Sequence, residues 1–106
     1  MPPPAPLLIS PADGEWVQDD PPTFRWMPVG VDPLYEVEIS QSPDFSELSA
    51  SGSTVTPLYT PAAPLGGGPY YWRVRATTEA GMGDWSQVWS FQMSWRTLVP
   101  LVLSAR

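Results

Sequence analysis

The chain has 106 residues and a formal charge of −6, from eleven acids against five Arg, with no Lys, His, Asn or Cys. One domain of this length can bury a modest core without staples, and the missing Cys excludes a disulfide framework, a thiolate metal site and a thiol nucleophile. The acidity excludes a basic face able to track phosphates and adsorption to an anionic membrane, so neither nucleic acid nor membrane insertion is expected.

Met1 runs into Pro2-Pro3-Pro4-Ala5-Pro6 without the charged start and apolar run of a leader. That is expected of a chain whose leader has been removed, or of one module of a longer protein. Residues 1–6 read as a stiff polyproline linker or packed arm. Leu7-Leu8-Ile9 predicts a short first strand, closed by Pro11 and the Asp13-Gly14 turn. Trp16 and Val17 stand isolated before Asp19-Asp20-Pro21-Pro22, which is expected to stop any pairing there.

Phe24 and Trp26 alternate with Thr23 and Arg25 and predict a second strand, ended by Pro28. Tyr35, Val37 and Ile39 alternate with Glu36, Glu38 and Ser40 in a third. The turn Ser42-Pro43-Asp44-Phe45-Ser46 carries one aromatic, expected to plug an end of the fold. Residues 47–60 are weakly patterned, with Leu48, Val55, Leu58 and Tyr59 as the expected buried contacts of one or two edge strands.

A Gly-rich turn, Gly66 to Pro69, opens the strongest alternation in the chain. Tyr70, Trp72, Val74 and Ala76 fall on one side, and Tyr71, Arg73 and Arg75 on the other. One face meets a core and the other meets water. A last strand is expected over Trp85 to Met93. No sustained helical period occurs between residues 7 and 93, and short strands with Pro/Gly turns predict an antiparallel β-sandwich.

Over residues 7–93 the order of these features resembles a fibronectin type III domain of the kind found in secreted bacterial proteins. The resemblance is carried by Pro11 with Gly14, Phe24-Arg25-Trp26, Tyr35-Glu36-Val37-Glu38-Ile39 and Ser42-Pro43-Asp44-Phe45, then by Leu65 with Tyr70 to Ala76, and by Trp85-Ser86 leading to Phe91. It implies a seven-stranded immunoglobulin-like sandwich, with strands A, B and E facing C, C′, F and G. It assigns Phe24, Trp26, Tyr35, Val37, Ile39, Tyr70, Trp72, Val74 and Ala76 to the core, the residues that alternation selects on its own. Leu65 and Tyr70 resemble the pair of a tyrosine corner, with a gap of five where the family has six. It further implies an extracellular or cell-surface location.

Two functional signatures of that family are absent. The F–G loop has Gly83-Asp84 preceded by Met82 rather than the Arg that integrin recognition requires. Trp85-Ser86-Gln87-Val88-Trp89-Ser90 is similar to the Trp-Ser-x-Trp-Ser box of cytokine receptors but has one residue too many. A spacing of three suits an extended three-per-turn helix; a spacing of four is expected to put both Trp on one side of a strand unless a bulge intervenes.

No catalytic residue, metal ligand or cofactor is assigned, and the chain is not expected to be an enzyme. Without His, Cys or Lys, the acid/base candidates reduce to carboxylates and Tyr. Glu36 and Glu38 share a face with Arg73 and Arg75 in the implied fold, and cross-strand ion pairing is the expectation there. A glycosidase pair would need a concave pocket and one raised pKa. Asp19, Asp20, Asp32 and Asp44 occur without calcium-loop spacing and read as turn residues. Thirteen aromatics exceed the needs of one small core. Tyr71, Arg73, Arg75, Trp85 and Trp89 are expected to form a surface stacking ladder.

The family pattern stops near Met93, yet residues 94–106 continue, and six of the ten residues from Trp95 to Ser104 are large and apolar. Trp95, Leu98, Val99, Leu101, Val102 and Leu103 are therefore candidate docking residues of an apolar tail, because such a segment left in water is sticky and β-prone. The expected role is a structural or protein-interaction module that assembles with copies of itself, or with neighbouring modules, into an extracellular fibre or surface layer. The alternative is a polysaccharide-contacting or spacer module of a secreted glycoside hydrolase.

Overall fold

The computed structural model describes residues 2–94 and is all-β over that range. The strands are β1 (Leu8–Ser10), β2 (Glu15–Val17), β3 (Phe24–Trp26), β4 (Leu34–Ser40), β5 (Leu48–Thr54), β6 (Leu58–Tyr59), β7 (Gly68–Thr78), β8 (Gly81–Met82) and β9 (Trp89–Met93). β1-β3-β6 form one sheet, and β2-β9-β7-β4-β5, with β8 on β7, form the other. That is the sandwich expected from the sequence, with A, B and E facing C, C′, F and G.

Alternation explains the core. Each strand of a sandwich sends every second side chain inward. Phe24 and Trp26 from β3, Tyr35, Val37 and Ile39 from β4, and Tyr70, Trp72, Val74 and Ala76 from β7 are all buried. Leu8, Phe91 and Met93 join them in one cluster. The inward faces are locked by register: Tyr35 lies opposite Ala76, Val37 opposite Val74 and Ile39 opposite Trp72. A slip of one residue would send Arg73 and Arg75 into this core, so the register is strongly specified.

Four expectations are corrected. The segment around Trp16 does pair: β2 runs parallel to β9, with Trp16 opposite Gln92. Pro21 and Pro22 stop the strand after Val17 but do not prevent three residues from pairing. The chain crosses from β1's sheet to β9's through a tight turn at Gly14, whose φ of +84° favours glycine. Gly14 N–H donates to Ser90 O at 2.7 Å, which anchors the crossing.

The last strand begins only at Trp89, because residues 83–88 lie outside any ladder. Leu48, Val55 and Leu58 are exposed rather than buried, and only Tyr59 packs against the core. Leu48 and Leu58 sit on β5 and β6, each an edge strand of its sheet, and Val55 sits in the bend between them. Finally, Phe45 is buried but lies outside the core cluster, beneath Arg73 rather than over the end of the sandwich.

The shortened Leu65–Tyr70 gap still makes its corner. Tyr70 Oη donates to Leu65 O at 2.5 Å and to Gly66 O at 3.2 Å. From the other side, Asp20 accepts from Leu65 N (2.7 Å) and Gly66 N (3.0 Å). Burial, and secondarily the Asp20 charge, push the Tyr70 hydroxyl above its ordinary pKa. A phenol donating to two carbonyls must stay protonated, so this contribution is complete below the unfolded tyrosine value of about 10 and is lost as pH rises through the folded one.

Two stability measurements follow from this packing. Trp72→Ala deletes the central indole and should cost about 3–5 kcal/mol in urea unfolding; a loss below about 1 kcal/mol would contradict its place in the core. Tyr70→Phe should cost about 0.5–1.5 kcal/mol at neutral pH. The stability gap between it and the parent should narrow above about pH 10, and a gap independent of pH would remove the corner from the account.

Candidate functional site

The outward face of β7 carries the residues with the most chemistry. Arg73 lies opposite Glu38 and Arg75 opposite Glu36 across the β4–β7 ladder. Arg73 donates to Glu38 Oε1 from Nε (3.0 Å) and Nη2 (2.7 Å), while Arg75 Nε donates to Glu36 Oε1 at 2.5 Å. Both carboxylates are thus engaged by guanidinium groups on a flat, half-exposed face. The two line a small open cleft of about 170 Å³ with Ser51, Gly52, Ser53 and Arg75, and each carboxylate there is already held by an Arg rather than desolvated as a proton-transferring carboxyl would be.

Aromatic rings complete the stack. The guanidinium of Arg73 sits 4.2 Å from the Phe45 ring centroid and 4.1 Å from that of Trp85, and Arg75 sits 4.4 Å from Trp85. The order Phe45, Arg73, Trp85, Arg75 runs up the strand. Phe45 reaches it from the β4–β5 turn at a left-handed φ of +59°. A bulky residue pays for that conformation, and the turn supplies bonds that hold it there. Phe45 N–H donates to Ser42 O, and Asp44 accepts from Ser46 N at 3.0 Å. Those bonds from Ser46, backbone first and side chain second, hold the Asp44 carboxyl below the usual carboxylate range. Phe45 was not among the ladder residues expected from the sequence, because alternation says nothing about a ring delivered by a turn.

Trp85 is held by its neighbour. Ser86 N–H donates to Val74 O at 2.8 Å, and Ser86 Oγ accepts from Val74 N at 3.0 Å. This pair of bonds ties the segment before β9 to β7 without a regular ladder. Trp89, by contrast, turns the other way. Its ring meets Trp72 edge-on at 6.4 Å and packs against the core. The spacing of four does not put both indoles on one side, since residues 85–88 are not strand. Tyr71 is half-buried, and its register places it between Ser40 and Ser90. Arg73, Arg75 and Trp85 are therefore brought together with Phe45, while Trp89 belongs to the core edge.

A flat aromatic row for stacking against sugar rings is not assembled on this face. Trp85 is covered by guanidinium groups, Trp89 is turned inward, and Tyr59 is tied through its hydroxyl to Ser51 O at 3.0 Å. Trp16 stands exposed on β2. The loop acids make turn and clamp bonds: Asp13 accepts from Ser90 N and Oγ, and Asp20 from the turn before β7. Among the described residues no cluster of three metal-ligating side chains occurs, and no helix is long and apolar enough to cross a membrane. The candidate docking residues Trp95, Leu98, Val99, Leu101, Val102 and Leu103 lie outside the described residues.

The Pro-rich arm packs at the pole opposite the tyrosine corner. Pro3 and Pro6 are buried. A Cβ on Gly30 would stand 3.2 Å from Pro3 Cβ and 2.9 Å from Thr78 Cγ2, so the glycine lets the arm lie close. A Cβ on Gly83 would collide with Pro3 O in the same way.

No family model matches the chain, and no curated protein matches it. Solved structures do, and they share the two-sheet architecture just described. The crystal structure of FN3tt is similar with a TM-score of 0.58 at 20% identity, over 88% of this chain and 96% of that one. A mutant FN3tt gives 0.57 at 18%, over 87% and 94%. The solution structure of the fibronectin type-III domain of human fibronectin type III domain containing protein 3 gives 0.58 at 17%, over 92% and 88%. The chain has the fibronectin type III fold.

The stack on β7 has a measurable consequence. Trp85→Ala frees both guanidinium groups on one side and should cost about 1–2 kcal/mol, two partly exposed cation–π contacts of about 0.5–1 kcal/mol each. The loss should persist at high salt, where the adjoining ion pairs are screened. A cost that vanishes in 1 M salt (the order at which screening is nearly complete) would assign the stability to the ion pairs instead.

Proposed function

We propose that the chain is a non-catalytic structural and protein-interaction module of a secreted or cell-surface protein. Its partners are copies of itself or neighbouring modules, engaged through the apolar C-terminal segment into an extracellular fibre or surface layer. The fibronectin type III fold supports the coarse part of this reading. The finer part rests on one observation: the core is closed by Met93, fully buried at the end of β9. Large apolar side chains beyond that point are not needed to complete the sandwich. Leu98, Val99, Leu101, Val102 and Leu103 gain about 1.5–3 kcal/mol each if covered, which favours a docked segment over a solvated one.

The paired Glu36 and Glu38 support the non-catalytic part, since each is already engaged by an Arg. The polysaccharide-binding alternative is supported less, because Trp85 and Trp89 are both occupied within the chain.

Removing residues 95–106 should leave a cooperatively melting sandwich and abolish assembly in light scattering. An oligomer of unchanged size after the deletion would overturn the role of the segment.

A further inference from the structure

One face of the sandwich departs from the ordinary pattern of apolar inside and polar outside. On the β1-β3-β6 sheet, Leu8, Phe24 and Trp26 point into the core. The alternating outward positions carry Leu7 (70% exposed), Ile9 (47%), Met27 (48%) and Leu58 (41%). Register gathers them. Met27 N–H donates to Leu7 O at 2.8 Å, and Leu58 lies opposite Arg25 on the neighbouring strand. Four large apolar side chains around a single Arg, on a narrow sheet, make a patch that soluble domains normally cover.

We propose that this face receives the C-terminal segment, residues 95–106, of a second copy of the chain; the inference rests on the assembly reading above. Three observations favour that occupant. First, the segment carries six large apolar residues and no acid, the complement of an apolar patch.

Second, charge divides sharply along the chain. All eleven acids precede Ser94, whereas Arg96 and Arg106 follow it. At the margin of the face a cleft of about 400 Å³ is lined in part by Glu15, Val17, Asp19 and Arg25. Glu15 and Asp19 are both exposed there, so a segment bearing two Arg finds acids at the Val17 end of the face.

Third, the chain leaves the body at the wrong end to cover its own face without reversing. Ser94 N–H donates to Val17 O at 2.9 Å, beyond the last rung of β9. β3 runs antiparallel to β1, which places Met27 and Leu7 towards the other pole. Between Ser94 and Pro100 the segment contains no Gly, Pro, Asn or Asp, so its first five residues favour extended chain over that reversal. A neighbour's face needs no reversal. A contact in which each copy gives its tail to one neighbour and receives that of another is heterologous, and it closes into a ring or runs on as a filament according to the rotation between copies.

Complementation of two full-length variants tests this. One carries Leu98→Asp and Leu101→Asp in the segment; the other carries Met27→Glu and Leu58→Glu on the face. Leu7→Glu serves as a second face variant, at the most exposed of the four positions. Each variant alone should sediment as a folded monomer of about 11.7 kDa. An equimolar mixture of segment and face variants should form a dimer and nothing larger, since one good tail meets one good face. A mixture that stays monomeric overturns the proposal, and that is the result expected if the tail folds onto its own body. If the face variants assemble as the parent does while the segment variant does not, the face is wrong and the assembly reading stands. If the segment variant also assembles, or the parent is monomeric, both readings fall.

Discussion

Trp72 is the contact on which both sheets depend. It lies on β7, fully buried, and meets Phe24 of the opposite sheet edge-to-face at 4.9 Å. Phe24 in turn meets Phe91, which stacks on Tyr70 at 5.5 Å, and Trp72 meets Trp89. One connected set of rings thus joins β3 to β7 and β9. Such pairs are worth about 0.5–1.5 kcal/mol beyond the area they bury. The set carries a cost as well. Among the described residues the buried indole N–H groups of Trp26 and Trp72 meet no hydrogen-bond partner, a penalty of about 1–3 kcal/mol each. The rings outweigh it because each indole also fills a volume that no smaller side chain would, in a core built from only a dozen residues.

The same strand determines what its outer face can do. Because Trp72 and Val74 must point inward, Arg73 and Arg75 must point outward, and β4 delivers Glu36 and Glu38 opposite them by the same rule. On this face two guanidinium charges are matched by two carboxylates and stacked on two aromatic rings. The stack's stabilisation is modest, since the ion pairs are partly exposed. Its consequence is larger: charge that could have attracted a ligand is satisfied within the sheet. The side of the molecule richest in reactive groups becomes chemically quiet.

How much of this was legible depended on whether a residue's position follows from period two. All nine core residues chosen by alternation are buried, because in β3, β4 and β7 one residue's orientation sets that of the next. The ion pairs were legible for the same reason. Phe45 and Trp85 were harder, since a turn and a non-ladder segment deliver them. Trp89 was misplaced because residues 85–88 break the period that a strand would have imposed. The pairing of Trp16 was missed because a parallel three-residue strand leaves almost no pattern. The edge segment misled for a different reason: Leu48, Val55 and Leu58 are apolar, and at a sheet edge apolar does not mean buried.

That last exception bears on where a partner would sit. A protein has three ways to keep an apolar residue at a sheet edge or on an outer face harmless: flank it with charge, cover it, or bury it in a partner. On the β7 face the first two operate, with Arg73 lying over Phe45. On the β1-β3-β6 face nothing described covers the patch and acids stand only at its margin, as Glu15 and Asp19, while Arg25 alone interrupts Leu7, Ile9, Met27 and Leu58 among the described residues. The two faces belong to one small domain in the same solvent, so solubility by itself gives no reason to treat them differently. A difference in what they contact does. The stack around Arg73 and Arg75 needs nothing further, with Trp16 and Leu34 exposed singly elsewhere on that sheet, whereas the β1-β3-β6 face gathers its apolar side chains into one patch and so retains a driving force for association.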